Sequence, residues 1–269
     1  MSEKVQGTLV IIGGAEDKTG ERVILRRFVE LAGGERARLV VVTSATSRPQ
    51  LVGDGYSRLF KDLGVQEVSI LNVASRQEAN IPSAYQTLLD ATGIFFTGGD
   101  QLRITSLLGG TRLDEALRKA YREGTIIAGT SAGASAMSET MIVEGDGERA
   151  PQRNNVKMAP GLGLIREVVV DQHFAQRGRL GRLLTAVAQH PYMLGIGIDE
   201  DTAIVVKPGG VFEVIGSQTV TVIDGKQIQE TNVSESGPLE PLALTNVILH
   251  ILPVGYKFDM IQRQPLSPA

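Results

Sequence analysis

No cysteine occurs anywhere in the 269 residues. That absence removes disulfides, thiolate metal sites and a cysteine nucleophile together. Imidazole is scarce too, since His173, His190 and His250 are the whole supply, and a histidine base must be one of three. An excess of positive charge is also missing. The formal net charge of −3 argues against nucleic acid as the main partner, because neutralising phosphates favours a basic chain. No apolar run approaches the roughly 18 residues that would span a membrane. The opening residues Met1 to Gln6 carry no apolar signal stretch, so a cytoplasmic protein without membrane attachment is expected. Neither repeats nor a convincing linker interrupt the sequence, which reads as a single α/β domain over residues 1–269.

What is present is ordinary core-forming material, 42% hydrophobic and 21% charged. Short apolar runs at residues 8–12, 39–42, 68–71, 94–96 and 126–128 alternate with helix-spaced segments at 23–31, 56–63, 84–89 and 113–121. Continuous apolar character, rather than alternation, suits parallel strands covered on both faces. Thr111 and Asp114 have the spacing of a capping box at the last of those helices. The rhythm predicts a three-layer αβα, doubly wound, mostly parallel sheet, with sites beyond the carboxyl ends of its strands. After Asp201 the runs shorten to 203–206, 211–214, 220–223 and 227–229, and Asp224-Gly225 has the look of a hairpin turn between the last two. These predict antiparallel C-terminal strands extending the same domain, with 231–241 a polar loop.

Gly129-Thr130-Ser131-Ala132-Gly133 joins a predicted buried strand to a stretch of small residues. Such a G-x-S-x-G turn lifts a serine hydroxyl out of the sheet, and glycines are needed where bulkier neighbours would clash. The same pattern also occurs where a helix packs tightly on a sheet, so context decides. A serine needs a base, and the base an orienting acid. His173 ends the apolar run Val168-Val169-Val170 and falls on the same sheet edge as Ser131, whereas His190 before Pro191 reads as a helix-end cap and His250 as structural. For the acid, Asp199, Glu200 and Asp201 follow an apolar strand. Period-two alternation would put Glu200 on one face and the two aspartates on the other, which leaves the choice open. No histidine spacing supports a metal site.

Five segments in order, Gly13-Gly14-Ala15-Glu16-Asp17-Lys18, Phe96-Thr97-Gly98-Gly99-Asp100-Gln101, Gly129 to Ala134, Asp171-Gln172-His173-Phe174 and Gly197 to Ala203, together resemble the cyanophycinases. These are serine peptidases related to peptidase E (aspartyl dipeptidase), with a fold akin to class I glutamine amidotransferases. The resemblance spans at least residues 8–206. It implies an exopeptidase that releases β-Asp-Arg dipeptides from cyanophycin, a poly-aspartate bearing arginine on each β-carboxyl. It also implies Ser131 as nucleophile, His173 as general base and acid, and Glu200 as the orienting acid. Gly98, Gly99 and the Ala132 N–H would form the oxyanion hole. No metal or organic cofactor and a homodimer are implied.

For such a substrate, Asp171 and Gln172 have the oxygens to engage a guanidinium, and Arg177, Arg179 and Arg182 the forks to hold carboxylates. Gln101 is a further pocket candidate, and the segments 50–56 and 144–159 read as pocket loops. Two other readings share these residues: an α-aspartyl dipeptidase of the peptidase E type, and a noncatalytic ligand-binding relative. Glutamine amidotransfer lacks its cysteine.

Overall fold

The computed structural model describes residues 6–147 and 150–266. Its largest element is a nine-stranded sheet. Five strands run parallel in the spatial order β1 (Leu9–Ile12), β5 (Ile126–Thr130), β4 (Gly93–Phe96), β2 (Arg38–Val42) and β3 (Glu67–Leu71). On the other side of β1 the sheet continues antiparallel through β10 (Thr202–Val206), β11 (Val211–Gly216), β14 (Lys257–Asp259) and β15 (Gln264–Leu266).

Alternate residues of the buried strands feed opposite faces, as the pleat requires. Val10, Ile12, Leu39, Val41 and Phe95 pack against α1 (Val23–Leu31) and α2 (Pro49–Asp62). Leu9, Ile11, Val40, Val42, Ile94 and Phe96 join a core that includes α3 (Pro82–Leu89), α4 (Gln101–Leu108) and α5 (Arg112–Glu123). The three-layer α/β class read from the sequence is the one observed.

Several expectations give way to tertiary effects. A second, four-stranded sheet holds β8 (Val168–Gln172), β9 (Leu194–Ile198), β12 (Thr219–Asp224) and β13 (Ile248–Pro253). His173 and the acidic triplet therefore leave a different sheet from Ser131. A run such as Val168-Val169-Val170 shows that a strand is buried, not which sheet buries it. One face of this sheet joins the large core through Val170, Ile196, Ile198 and Val222. The other packs on α7 (Leu180–Gln189) through Val169 and Ile223. A separate hairpin pairs β6 (Thr140–Gly145) with β7 (Val156–Pro160).

The hairpin expected at Asp224-Gly225 does not form, and residues 227–229 are not a strand. Asp224 instead accepts from the Lys226 N–H and from Arg263, while β12 pairs with β13. The capping box at α5 is absent as well. The Thr111 hydroxyl donates to Leu108 O, and Asp114 accepts from the Gly110 N–H and from Arg118. Strand β3 lies at the sheet's edge and is partly exposed, which its apolar run did not reveal. The segment 50–56 is not a loop but the first half of α2, started by Pro49. Gly53 and Gly55 weaken its helical signal. A methyl at Gly53 would lie 2.8 Å from the Ile70 side chain, so the glycine lets α2 lie against β3. The segment 144–159 belongs largely to the β6–β7 hairpin; its residues 148 and 149, like residues 1–5 of the chain start, lie outside the described set.

Beneath the parallel strands an aromatic cluster joins β4, α1 and α2. Phe95 lies 4.7 Å from Tyr56, 5.4 Å from Phe60 and 5.7 Å from Phe28, centroid to centroid. Phe95→Ala is expected to cost about 3–5 kcal/mol, because the cavity forms where three elements meet. Urea unfolding monitored by circular dichroism checks this, and a loss under about 1 kcal/mol would mean the cluster collapses around the gap.

Candidate active site

Five loops follow the carboxyl ends of β1, β4, β5, β8 and β9 and converge. The edge is shared even though the strands belong to two sheets. At its centre is Ser131, between β5 and the short helix α6 (Ala132–Ser135), with φ 52° and ψ −110°. A non-glycine residue at positive φ costs of order 1–3 kcal/mol, so surrounding contacts must impose it. They do so through packing too tight for side chains. A methyl on Gly129 would lie 2.6 Å from Gly133 O, and one on Gly133 would lie 2.6 Å from Phe96 O. The Ser131 N–H also donates to Ile12 O at 3.1 Å.

His173 has φ 48° and donates its N–H to Gly13 O at 2.7 Å. Its Nε2 lies 3.0 Å from Ser131 Oγ, and its Nδ1 lies 2.6 Å from Glu200 Oε1. Gly14, at φ +104°, is pressed on the imidazole so closely that a methyl there would be 2.5 Å from Nε2. Burial pulls the His173 pKa below its usual 6.5; the Glu200 hydrogen bond opposes this, and the nearby Arg177 charge adds to the lowering. The lowering favours the neutral imidazole, whose Nε2 can accept a proton, and Glu200 is placed to stabilise an imidazolium formed there.

The geometry separates the three carboxylates where alternation did not. Strand β9 ends at Ile198, so the period-two reading does not extend through the triplet. Asp199 is buried and accepts from the Ala175 N–H at 3.0 Å and the Thr219 hydroxyl at 2.7 Å. Asp201, at φ 47°, accepts from the Asp17 N–H at 2.8 Å. Only Glu200 of the three reaches His173. Gln176, which the sequence reading passed over, accepts from the Glu200 N–H at 3.0 Å.

Gly98 lies against the serine, since a methyl there would sit 3.5 Å from Ser131 Cβ and 4.0 Å from Oγ. Gly99, at φ +145°, packs on Ala45, whose carbonyl a methyl would meet at 2.2 Å. Ala132 is the first residue of α6, so its N–H has no acceptor within that helix. Three N–H groups, from Gly98, Gly99 and Ala132, therefore lie in the segments bordering the serine.

The expected pocket residues divide. Gln172 is brought to the serine, its Oε1 3.5 Å from Ser131 Oγ. Gln101 gives its amide N–H groups to Ile142 O at 2.9 Å and Val143 O at 3.2 Å, tying α4 to β6. Asp171 is fully buried, and its guanidinium partners are internal. Arg182 Nε donates to it at 2.7 Å and Nη2 donates to its other oxygen, while Arg179 Nη1 lies at 3.4 Å. Asp171 and Arg182 are thus corrected from substrate contacts to halves of an internal ion pair. Arg179, the residue before α7, also donates to Gln172 O; burial pushes its pKa down to about 10 against the pull of Asp171. Arg177 is exposed beside the site. Among the described residues no group of three or more His, Asp or Glu is placed to hold a metal ion.

A buried ion pair is costly to break because the surviving charge stays desolvated. Asp171→Asn should lower stability by about 3–5 kcal/mol, whereas Arg177→Gln, at an exposed position, should change it by less than about 0.5 kcal/mol. Parallel urea titrations check the contrast, and equal effects would show that Asp171 is not a structural anchor.

The sequence pattern of Peptidase family S51 matches residues 9–214. A cyanophycinase of Trichormus variabilis is 44% identical over 259 residues, covering 96% of this chain and 87% of that protein. A cyanophycinase of Geminocystis herdmanii is 41% identical over 268 residues, covering 99% of this chain and 98% of that protein. The crystal structure of a peptidase from an acI-B1 Actinobacterium superposes with a TM-score of 0.66 at 24% identity, over 92% of this chain and 98% of that one, and shares the fold. With family and relatives matching across most of its length, the chain belongs to peptidase family S51.

Proposed function

We propose that the chain is a serine exopeptidase that hydrolyses cyanophycin, multi-L-arginyl-poly-L-aspartate, to β-Asp-Arg dipeptides through an acyl-enzyme. The observation that carries the chemistry is the continuous line Ser131 Oγ, His173 Nε2, His173 Nδ1, Glu200 Oε1, with contacts of 3.0 and 2.6 Å. The names of the two cyanophycinase relatives support the substrate.

In this reading His173 Nε2 takes the Ser131 proton as Oγ attacks the scissile carbonyl carbon. The carbonyl oxygen becomes an oxyanion facing the N–H groups of Ala132 and of the Gly98-Gly99 turn. The tetrahedral intermediate collapses as His173 passes its proton to the leaving amine, and the acyl group stays on Oγ. Water then attacks the ester with His173 again as base, and Ser131 regains its proton. Glu200 holds the imidazole tautomer throughout. Gln172 and the exposed Arg177 would meet the substrate's guanidinium and carboxylate, and Arg179 would assist from the pocket wall.

Among the described residues no helix is long and apolar enough to cross a membrane. A cytoplasmic location and a homodimer belong to the same proposal. Outward-facing Leu249 and Ile251 on the edge strand β13 support self-association. The reading of residues 1–269 as one peptidase domain is supported by β14 and β15, which join the sheet that carries β1.

Incubation with cyanophycin should release β-Asp-Arg, identified by mass spectrometry, and Ser131→Ala should lower the rate by about 10⁴-fold or more. Cleavage of α-aspartyl dipeptides with no action on the polymer would overturn the substrate. An undiminished rate in Ser131→Ala would overturn the nucleophile. Because the base must be neutral, kcat/KM should fall as pH drops through a value below 6.5. Arg177→Gln removes a lowering charge and should move that limb up in pH, while Glu200→Gln removes a raising partner and should move it down. Limbs that stay in place would exclude His173 as the titrating base. The same lowering makes stability depend on pH. The contribution of neutral, buried His173 is present above pH 6.5 and is lost as pH falls through its folded value.

A further inference from the structure

Glu16 takes no part in the line from Ser131 to Glu200, yet its side chain is 1% exposed at the back of the nucleophile turn. Burying a carboxylate is costly unless donors surround it. Here three converge. The Thr130 hydroxyl donates to Oε2 at 2.6 Å, the Tyr56 hydroxyl donates to Oε1, and Lys18 Nζ lies 3.3 Å from Oε1. Thr130 is the residue preceding Ser131, and Tyr56 comes from α2 on the far side of the turn. Lys18 also sits 4.7 Å over the Tyr56 ring. Burial and the neighbouring carboxylate hold the Tyr56 pKa well above its usual 10, so it remains a donor.

The segment that carries Glu16 touches the other reacting groups as well. Gly13 O accepts from the His173 N–H at 2.7 Å, and Gly14 O accepts from the Asp201 N–H at 2.9 Å, one residue beyond Glu200. Thr130, Gly13 and Gly14 thus link one short turn to Ser131, His173 and the Glu200 loop. Beyond these backbone bonds, the Glu16–Thr130 bond is a side-chain tie between this turn and the residue before the serine.

We propose that Glu16 is a positioning residue of the peptidase reaction: bonded to Thr130 and Tyr56, it clamps the turn at residues 13–17 onto the nucleophile loop and sets the approach of Ser131 Oγ to His173 Nε2. The inference rests on Ser131 and His173 having the roles given above. It predicts an effect on acylation and not on substrate binding, because Glu16 faces the protein interior.

The test uses the full chain, with cyanophycin turnover, labelling by a fluorophosphonate, and thermal melting measured side by side. Thr130→Val removes the donor at nearly constant shape, and Glu16→Gln exchanges an oxygen acceptor for an amide. Each should lower kcat and the labelling rate together by about 10²-fold, the scale of a small misplacement of reacting groups, with KM changed by less than about two-fold. Thr130→Ser keeps the hydroxyl and should hold the parent rate. If Glu16→Gln fails to fold, the Thr130 pair decides. Thr130→Val at the parent rate, or Thr130→Ser as slow as Thr130→Val, overturns the positioning role. Turnover or labelling that survives in Ser131→Ala would instead overturn the catalytic reading on which it rests.

Discussion

The carbonyls of Ile12, Gly13 and Gly14 accept, in order, the N–H groups of Ser131, His173 and Asp201. These donors come from the ends of β5, β8 and β9, that is, from two different sheets. A hydrogen bond of this kind contributes only about 1 kcal/mol to stability. Its geometric effect is larger, because three consecutive carbonyls on one short stretch tie the loop of the serine to the two paired loops of the other sheet. Gly14 is required there because the imidazole packs directly on its Cα. The candidate site therefore depends on the first strand and the turn after it, although none of Ser131, His173 and Glu200 belongs to either.

The same turn accounts for strain in the site. Ala15, Ser131, His173 and Asp201 all adopt φ between 46° and 52° without being glycine. Such conformations persist only where neighbours over-determine them. Close contacts at Gly129 and Gly133 do so for the serine, and the Asp17–Asp201 bond closes the turn from the other side. Preorganisation of this sort suits acyl transfer, in which donors must already face the position where charge develops.

Two carboxylates are buried near the site, each among several donors. Asp171 meets Arg182 and Arg179 under the His173 loop, and Glu16 meets Lys18 and two hydroxyls under the serine. Both carboxylates lie behind Ser131 and His173, with their donors arranged around them. His173, flanked by the Arg177 and Arg179 charges and partly buried, is held below its usual pKa even beside Glu200. The carboxylate contact at Nδ1 fixes the ring's orientation, which the proposed base requires.

The sequence by itself determined the αβα class, because continuous apolar runs such as 8–12 and 126–128 signal strands covered on both faces. It also marked Gly129 to Gly133 as a strained turn, since only small residues permit one, and narrowed the histidine to one at the end of an apolar run. Local pattern does not encode which sheet a buried strand joins, so β8 and β9 were legible as strands but not as a second sheet. The Asp224-Gly225 turn and the Thr111–Asp114 pair have the patterns of a hairpin and a capping box, but Arg263, far along the chain, takes the first carboxylate, and Arg118, one helical turn on, shares the second with the Gly110 N–H. Only tertiary structure chose Glu200 over its neighbours, withdrew Asp171 and Arg182 into an ion pair, and brought Glu16 and Gln176 to the site. Each of those outcomes turns on which residues far apart in the chain come within hydrogen-bond reach, and that is a property of the packed fold, not of spacing.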